Sequence, residues 1–173
     1  MAGFAVAANA FQCDPSSAKQ APVNLPEGAP CGGWCGATGT CAQGLHCDEG
    51  LLPLAFMPLG LQLDSVCRNA AHDDALWKFV RLPPCASNWQ LLSLTKATDL
   101  DKAATIASNA IMATRELQFD PCIRILSAQT CESNQYAILV QRIYEDAPKQ
   151  YYLVEDHGDR PALPTATAIA LDN

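Results

Sequence analysis

Cysteine is the residue type in this chain whose spacing carries the most chemistry. Six of the nine cysteines lie between Cys13 and Cys67, and four of them belong to a glycine-spaced run from Cys31 to Cys47, CGGWCGATGTCAQGLHC. Thiols at this density serve either as disulfide cross-links or as zinc ligands. The intervals of three, five and five residues contain no CxxC pair, and no paired histidines accompany them, so the pattern favours disulfides over a zinc site.

No residue pattern in the chain indicates catalysis. His46, His72 and His157 are scattered, and none belongs to a nucleophile elbow, a zinc-protease motif or a phosphate-binding loop. The run His72-Asp73-Asp74 is interpreted as a solvated linker rather than as a cation site. The sequence therefore predicts a non-enzymatic protein with no catalytic residues, no cofactor and no metal ion.

The charge balance restricts the class of partner. The 173 residues carry 18 acidic and 11 basic side chains, a formal net charge of −7, so nucleic acid and anionic membrane surfaces would be repelled. No run approaches the roughly 20 apolar residues that a membrane-spanning helix requires. A protein or peptide partner is expected, with no membrane span and no nucleic acid.

Composition divides the chain into four segments. Residues 1–10 are apolar and end in Ala8-Asn9-Ala10, which is typical of either the tail of a signal peptide or a disordered terminus. Residues 11–68 predict a small disulfide-rich module, residues 69–84 a linker, and residues 85–173 a second domain with regular periodicity. Together with the cysteine pattern, this organisation predicts a secreted, extracellular protein.

The second domain shows the pattern of one helix and five strands. A strand is predicted over residues 88–95, and a helix begins after the predicted N-cap Thr98, with apolar residues at helical spacing as far as Leu117. Alternating runs separated by turn residues predict further strands over residues 122–131, 135–144, 150–155 and 162–171. A single helix followed by consecutive strands favours an α+β fold in which the helix packs on a five-stranded antiparallel sheet.

The order of these elements resembles the cystatin fold, and one local motif adds to the resemblance. The stretch ILSAQTCESNQY, residues 125–136, is similar to the first inhibitory hairpin of cystatins, Q-x-V-x-G followed by an N-Y pair. Gln129 matches the Gln of this motif, whereas Cys131 and Ser133 stand where the family has Val and Gly. The resemblance implies a cystatin-like roll with a degenerate inhibitory hairpin, and it implies a cysteine protease as a partner.

The two cysteines that flank the first two predicted strands are expected to meet. Antiparallel pairing places the beginning of one strand beside the end of the other, so Cys85 lies near Cys131 and a disulfide between them is predicted. Nine is an odd number, so Cys122 is left over. It is either a buried thiol or an intermolecular bridge, and the second interpretation predicts a disulfide-linked dimer.

The cysteine-rich segment resembles a second family. Its stretches PCGG, GTCAQGLHC and VC are similar to the core of the insulin-like growth factor-binding cysteine-rich module. The resemblance implies crossed disulfides, Cys31 to Cys47 and Cys41 to Cys67, which leaves Cys13 for Cys35. It also implies an insulin-like peptide as a partner.

An apolar loop and three tryptophans offer candidate contact surfaces. The loop contributes Leu52, Leu54, Phe56, Met57 and Leu59, and it either docks a partner or joins the two modules. Trp34 is either an exposed anchor or packs over the disulfides. Trp77 is expected to fill the seam between the modules, and Trp89 is expected in the core of the second domain.

Three functions follow from these features. The first is a secreted, non-enzymatic protein-binding protein in which both modules form one recognition surface. The second is a diverged cysteine protease inhibitor of the cystatin type. The third is a structural or self-assembling component of an extracellular matrix or coat.

Overall fold

The computed structural model describes residues 23–32, 39–48, 65–115, 123–143, 150–158 and 162–171. Within these described residues the chain forms a two-stranded ribbon, two α-helices and a five-stranded antiparallel sheet. The α+β class that the sequence predicts is therefore confirmed.

Two short antiparallel strands, β1 (His46–Asp48) and β2 (Val66–Arg68), form the ribbon of the cysteine-rich segment. Two disulfides flank it, Cys31–Cys47 with a Cα–Cα distance of 5.8 Å and Cys41–Cys67 with one of 5.5 Å. Disulfide bonding is thus confirmed, and each bond joins the partners that the resemblance implied. The sulfur atoms of Cys31, Cys41 and Cys67 lie within 4.8 Å of one another, but as disulfide sulfurs they offer no thiolate to a zinc ion.

A short helical segment follows the ribbon. Helix α1 (Ala70–Asp74) is capped by the Asn69 side chain, which accepts a hydrogen bond from the amide of Ala71 at 3.0 Å, and the chain continues as a 3-10 helix (Ala75–Phe79). Arg68 donates two hydrogen bonds to Asp73, one of them from Nε to Oδ2 at 2.8 Å. Asp73 is only 3% exposed, so its interpretation as part of a solvated linker is wrong.

The ion pair between Arg68 and Asp73 anchors α1 to the end of the ribbon. Burial of the guanidinium lowers the pKa of Arg68, but the hydrogen bond and the attraction of Asp73, with smaller contributions from Asp48 and Glu27, outweigh it and raise the pKa above its usual value. Arg68 therefore stays charged. The first part of the predicted linker is thus a helical connection with specific contacts.

Five strands form one antiparallel sheet in the order of the chain. They are β3 (Gln90–Leu91), β4 (Ile123–Cys131), β5 (Gln135–Arg142), β6 (Gln150–Asp156) and β7 (Thr165–Ile169), and helix α2 (Ala97–Ala113) lies between β3 and β4 in the chain. Each strand pairs with the next one along the chain. Strands β4, β5 and β6 agree with the sequence prediction to within two residues, because turn residues separate them, whereas β7 covers only five of the ten residues predicted over 162–171.

The start of this domain differs from the prediction. Strand β3 is shorter than the predicted span 88–95, because the amide of Lys96 donates to the carbonyl of Ser93 at 2.9 Å and closes a turn. Helix α2 has its N-cap at Lys96, whose carbonyl accepts hydrogen bonds from the amides of Asp99 and Leu100. The predicted cap at Thr98 is therefore wrong, although Asp99 lies in the first turn, where its charge favours the helix dipole.

Helix α2 covers one face of the sheet with the apolar side that its sequence pattern predicts. Ile106, Ala107 and Ile111 of the helix are buried in one cluster with Ile138 and Val154 of the sheet. Burial of each larger side chain contributes about 2 kcal/mol by removing apolar surface from water. This cluster holds the helix at a fixed position over β4, β5 and β6.

The opposite face of the sheet is covered by the 3-10 helix, which the sequence did not predict. Trp77 packs against Leu126 of β4 there. Its indole Nε1 donates a hydrogen bond to Ser127 Oγ at 2.7 Å, and Ser127 Oγ donates to Asp74 Oδ1 at 2.5 Å, so the buried indole N–H is satisfied. Trp77 therefore packs on the sheet itself, and Trp89 lies at the edge of the same cluster.

A nearly buried ion pair connects the ribbon to the sheet. Asp48 at the end of β1 lies 3.2 Å from Nε of Arg124 on β4, and the two side chains are 15% and 7% exposed. An exposed pair joins His72 Nδ1 to Glu27 Oε2 at 2.9 Å. The first pair gives the ribbon a defined position against the second domain, whereas the second joins the cysteine-rich segment to α1.

Candidate functional site

The ends of four strands meet at one end of the sheet. Strand β4 ends at Cys131, opposite Gln135 at the start of β5, and Tyr136 lies opposite Asp156 at the end of β6. The start of β3 reaches the same place, since Gln90 lies opposite Thr130. We call this region the turn end, and it consists of residues 85–89, the 3-10 turn Glu132–Asn134 and residues 156–158.

A disulfide ties two segments of the turn end together. Cys85, which precedes β3, is bonded to Cys131, the last residue of β4, with a Cα–Cα distance of 6.1 Å and a sequence separation of 46. Ser87 Oγ lies 3.7 Å from each of the two sulfur atoms. This is the bond that antiparallel pairing of the first two strands predicts, and it fixes the chain that leads into β3 against the end of β4.

The two turns at this end touch through their backbones. Gly158 has a φ of +72°, which residues with a side chain rarely adopt, and a Cβ at this position would lie 2.7 Å from both the Cβ and the carbonyl oxygen of Asn134. The amide of Gly158 also donates to Asp156 Oδ1 at 3.0 Å. Only glycine permits this approach, so the two turns form one continuous surface.

An open groove of about 800 Å³ lies between α2 and the turn end. Asp101, Lys102 and Asn109 line it from the helix, and Tyr136 and Leu163 line it from the sheet side. Lys102 Nζ lies 4.8 Å from the centroid of the Tyr136 ring, a cation–π contact that holds the amine against the wall of the groove. Carboxylate, ammonium, amide and apolar surface thus lie side by side, which suits ion pairs and hydrogen bonds to a peptide segment.

The degenerate inhibitory hairpin lies at the turn end, but most of its motif residues are not presented to solvent. Gln129 is 6% exposed, and Cys131 is fully buried and bonded to Cys85. Ser133 lies in the 3-10 turn between β4 and β5. In this conformation the surface of the hairpin consists of its turn rather than of Gln129 or Cys131.

Several predicted site residues lie outside the described residues. They are Cys13, Cys35, Cys122 and Trp34, together with the apolar loop residues Leu52, Leu54, Phe56, Met57 and Leu59. The Cys13–Cys35 bond, the state of Cys122 and the role of the loop therefore stay predictions.

Sequence reasoning missed the groove and the contact between the turns. Asn109, Asn134 and Leu163 come from separate segments, and nothing in their spacing relates them to one another. Gly158, which lies in a turn between two predicted strands, could have indicated the contact between the turns. Turn glycines often mark a positive φ or a close backbone approach.

Neither protein-family models, nor curated proteins, nor solved structures gave a match to this chain. Among the described residues, no helix combines the length and the apolar character needed to cross a lipid bilayer. The function is therefore argued from the geometry of the turn end and the groove.

Proposed function

We propose that this chain is a secreted, non-enzymatic protein that binds another protein through the turn end and the adjacent groove. The observation that carries the proposal is the fixed geometry of the turn end. The Cys85–Cys131 disulfide holds one segment in place, and the contact between Gly158 and Asn134 holds the two turns together. A surface that is rigid before binding loses less conformational entropy when the partner docks.

The proposed recognition surface includes the cysteine-rich module, which lies in a fixed position beside the sheet. The contact of Asp48 with Arg124 and the anchoring of α1 by Arg68 and Asp73 support a defined arrangement of the two modules. A partner can then contact both modules without first ordering them. This supports a recognition protein built from two modules rather than two independent binding units.

Charge and disulfides support the class of partner and the compartment. The chain has a formal net charge of −7, and Asp101 and Asp156 line the groove, so the proposed partner presents a neutral or basic segment there. Three disulfides among the described residues persist in an oxidising compartment, whereas a cytosol would reduce them. Both observations favour an extracellular protein partner.

The test places a photo-crosslinking amino acid at Glu132 in the full-length, oxidised protein and exposes it to extracellular fluid of the source organism. The matched control carries the same amino acid at Gln150, an exposed residue at the other end of β6, about 20 Å along the strand from Asp156 at 3.3 Å per residue. We expect one discrete adduct from Glu132 that excess unlabelled protein abolishes, and no such adduct from Gln150. Equal labelling from both positions, or no saturable adduct, would contradict the proposal.

Cystatin-type protease inhibition is the second candidate, because the strand order and the position of the hairpin resemble that family. The burial of Gln129 and Cys131 favours the first proposal. Titrating a papain-like protease with this protein distinguishes the two candidate functions. The first proposal expects unchanged protease activity at an equimolar dose, whereas a stoichiometric loss of activity would establish the inhibitor instead.

A further inference from the structure

The two outer edges of the sheet are built differently. Strand β3 at one edge pairs over only two residues, Gln90 and Leu91. Strand β7 at the other edge pairs with β6 over all five of its residues, and no further strand pairs with its outer side among the described residues. Thr165, Thr167 and Ala168 are exposed there. One edge is therefore short, while the other leaves a longer row of backbone groups accessible.

The accessible edge also lacks the features that usually prevent strands from pairing with other chains. Monomeric proteins protect such edges with charged side chains, bulges, proline or very short strands. Strand β7 reads TATAI, and the whole run 162–171, ALPTATAIAL, contains no charged residue. Its pairing with β6 shows no register shift, and its one proline, Pro164, precedes the strand. Among the described residues, nothing protects the outer edge of β7, whereas the other edge of the sheet is protected because β3 is very short.

We propose that the outer edge of β7 binds a second copy of this chain. The two β7 strands pair antiparallel about a twofold axis at Thr167 and join the two sheets into one. In this register Thr167 faces Thr167 of the partner subunit, and Ala166 faces Ala168 of the partner subunit. Each residue on one copy thus meets a residue of similar shape on the other.

The sequence of the edge is self-complementary in this register. Thr165, Thr167 and Ile169 share one side of the strand, so the β-branched residues meet β-branched residues, while Ala meets Ala on the side that faces α2. Continuing the register brings Leu163, which is 68% exposed, beside Leu171 of the partner subunit. Burial of these leucines against each other removes apolar surface from water.

Because this edge carries no charge, it can pair with the same edge of a second copy, whereas two copies otherwise repel each other. Two chains of net charge −7 repel each other in general. The run 162–171 brings no like charges opposite each other, because it is uncharged. Since pairing of one short strand buries little surface, we expect a reversible dimer of modest affinity, typical of interfaces below about 1,200 Å².

Sedimentation velocity of the full-length protein between about 1 µM and about 200 µM tests the proposal, because weak interfaces of this class associate in that range. We expect the wild type to shift from monomer to dimer as the concentration rises. Thr167→Lys places two ammonium groups opposite each other at the twofold axis, so we expect at least a tenfold loss of dimer affinity. Leu91→Lys on β3, an exposed position on the other edge, is the matched control and should dimerise like the wild type.

The control separates edge pairing from a general charge effect. Both variants reduce the net negative charge by the same amount, which would strengthen any association limited by overall repulsion. A wild type that stays monomeric throughout, or a Thr167→Lys variant that dimerises like the wild type, overturns the proposal.

Hydrogen exchange of the wild type gives a second readout that needs no variant. The amides of Thr165–Ile169 should become more protected as the concentration rises, while those of Gln90–Leu91 should not. Equal behaviour of the two edges likewise overturns the proposal. Leu163 lines the groove and also belongs to the proposed dimer contact, but the paired residues Thr165–Ile169 lie outside the turn end and the groove. Exchange at these amides and crosslinking at Glu132 therefore test the two proposals separately.

Discussion

Gly158 and Gly28 have similar positive φ angles but very different surroundings. Their φ angles are +72° and +82°, and a Cβ at Gly28 would meet no atom within 4 Å. A Cβ at Gly158 would overlap Asn134 in the neighbouring turn. Comparing substitutions at these two glycines therefore separates the energetic cost of a positive φ from the cost of steric overlap.

We predict that Gly28→Ala lowers the free energy of unfolding by about 1 kcal/mol, the usual cost of a positive φ for a residue with a Cβ. Gly158→Ala should cost about 2 to 4 kcal/mol, because steric overlap adds to the same backbone cost. Urea denaturation of both variants with the disulfides intact measures the difference. Equal losses would mean that the turn at Gly158 moves away from Asn134 without cost, and the turn end would then not be rigid.

Strand β3 is a short element held at the sheet edge beside a disulfide. It pairs with β4 over only two residues, and the Cys85–Cys131 disulfide closes a loop of 46 residues around it. A strand pairing of only two residues is weak without support. The disulfide is therefore expected to supply much of the stability of this edge.

We predict that the double variant Cys85→Ser, Cys131→Ala destabilises the second domain by about 4 kcal/mol, the loop-closure entropy for a loop of this length. Alanine suits position 131 because Cys131 is fully buried. Hydrogen exchange should accelerate first at Gln90–Leu91 and at Glu132–Asn134. Removal of Cys31 and Cys47 in the ribbon is the comparison, and it should leave exchange at these amides unchanged.

The four strands that follow α2 were predictable because their signals are local. Continuous apolar runs, YAILV in β5 and YYLV in β6, mark strands that are buried on both faces, and turn residues such as those around Gly158 separate the strands. The partner of Cys85 was also predictable, since strand order alone brings it to Cys131.

The helical segment after the ribbon was not predictable in the same way. Its local sequence, AAHDDALWKF, is short and carries three polar residues in its first half, which is typical of a linker. The contacts that fix it join Trp77 to Ser127 and Asp74 to Ser127, residues about fifty positions apart. The groove was missed for the same reason, because its lining residues come from distant segments.

At the scale of the whole molecule, the ion pair between Asp48 and Arg124 is a direct contact between the two modules. Both side chains are nearly buried, so removing one partner takes away an attraction that offsets the desolvation of the other. We predict that Asp48→Ala and Arg124→Ala each cost about 3 kcal/mol, and that the double variant costs much less than their sum. Urea denaturation of the four proteins gives the coupling energy.

An exposed ion pair in the second domain supplies the control. Lys96 Nζ lies 4.0 Å from Asp99 Oδ1, and the Lys96 side chain is well exposed, so Lys96→Ala should change stability by less than about 0.5 kcal/mol. If Asp48→Ala is as mild as this control, the modules are held by other contacts, and a recognition surface shared by both modules loses its main support.

The two disulfides of the ribbon have a consequence for resistance to proteolysis. Their loops interlock along the chain, because Cys41 lies inside the loop closed by Cys31 and Cys47, and Cys67 lies beyond it. A single cut at any peptide bond between Cys31 and Cys67 therefore leaves both pieces covalently joined. The ribbon can therefore lose a peptide bond and still remain part of the molecule. Such a cut would release a fragment on a reducing gel and none on a non-reducing gel.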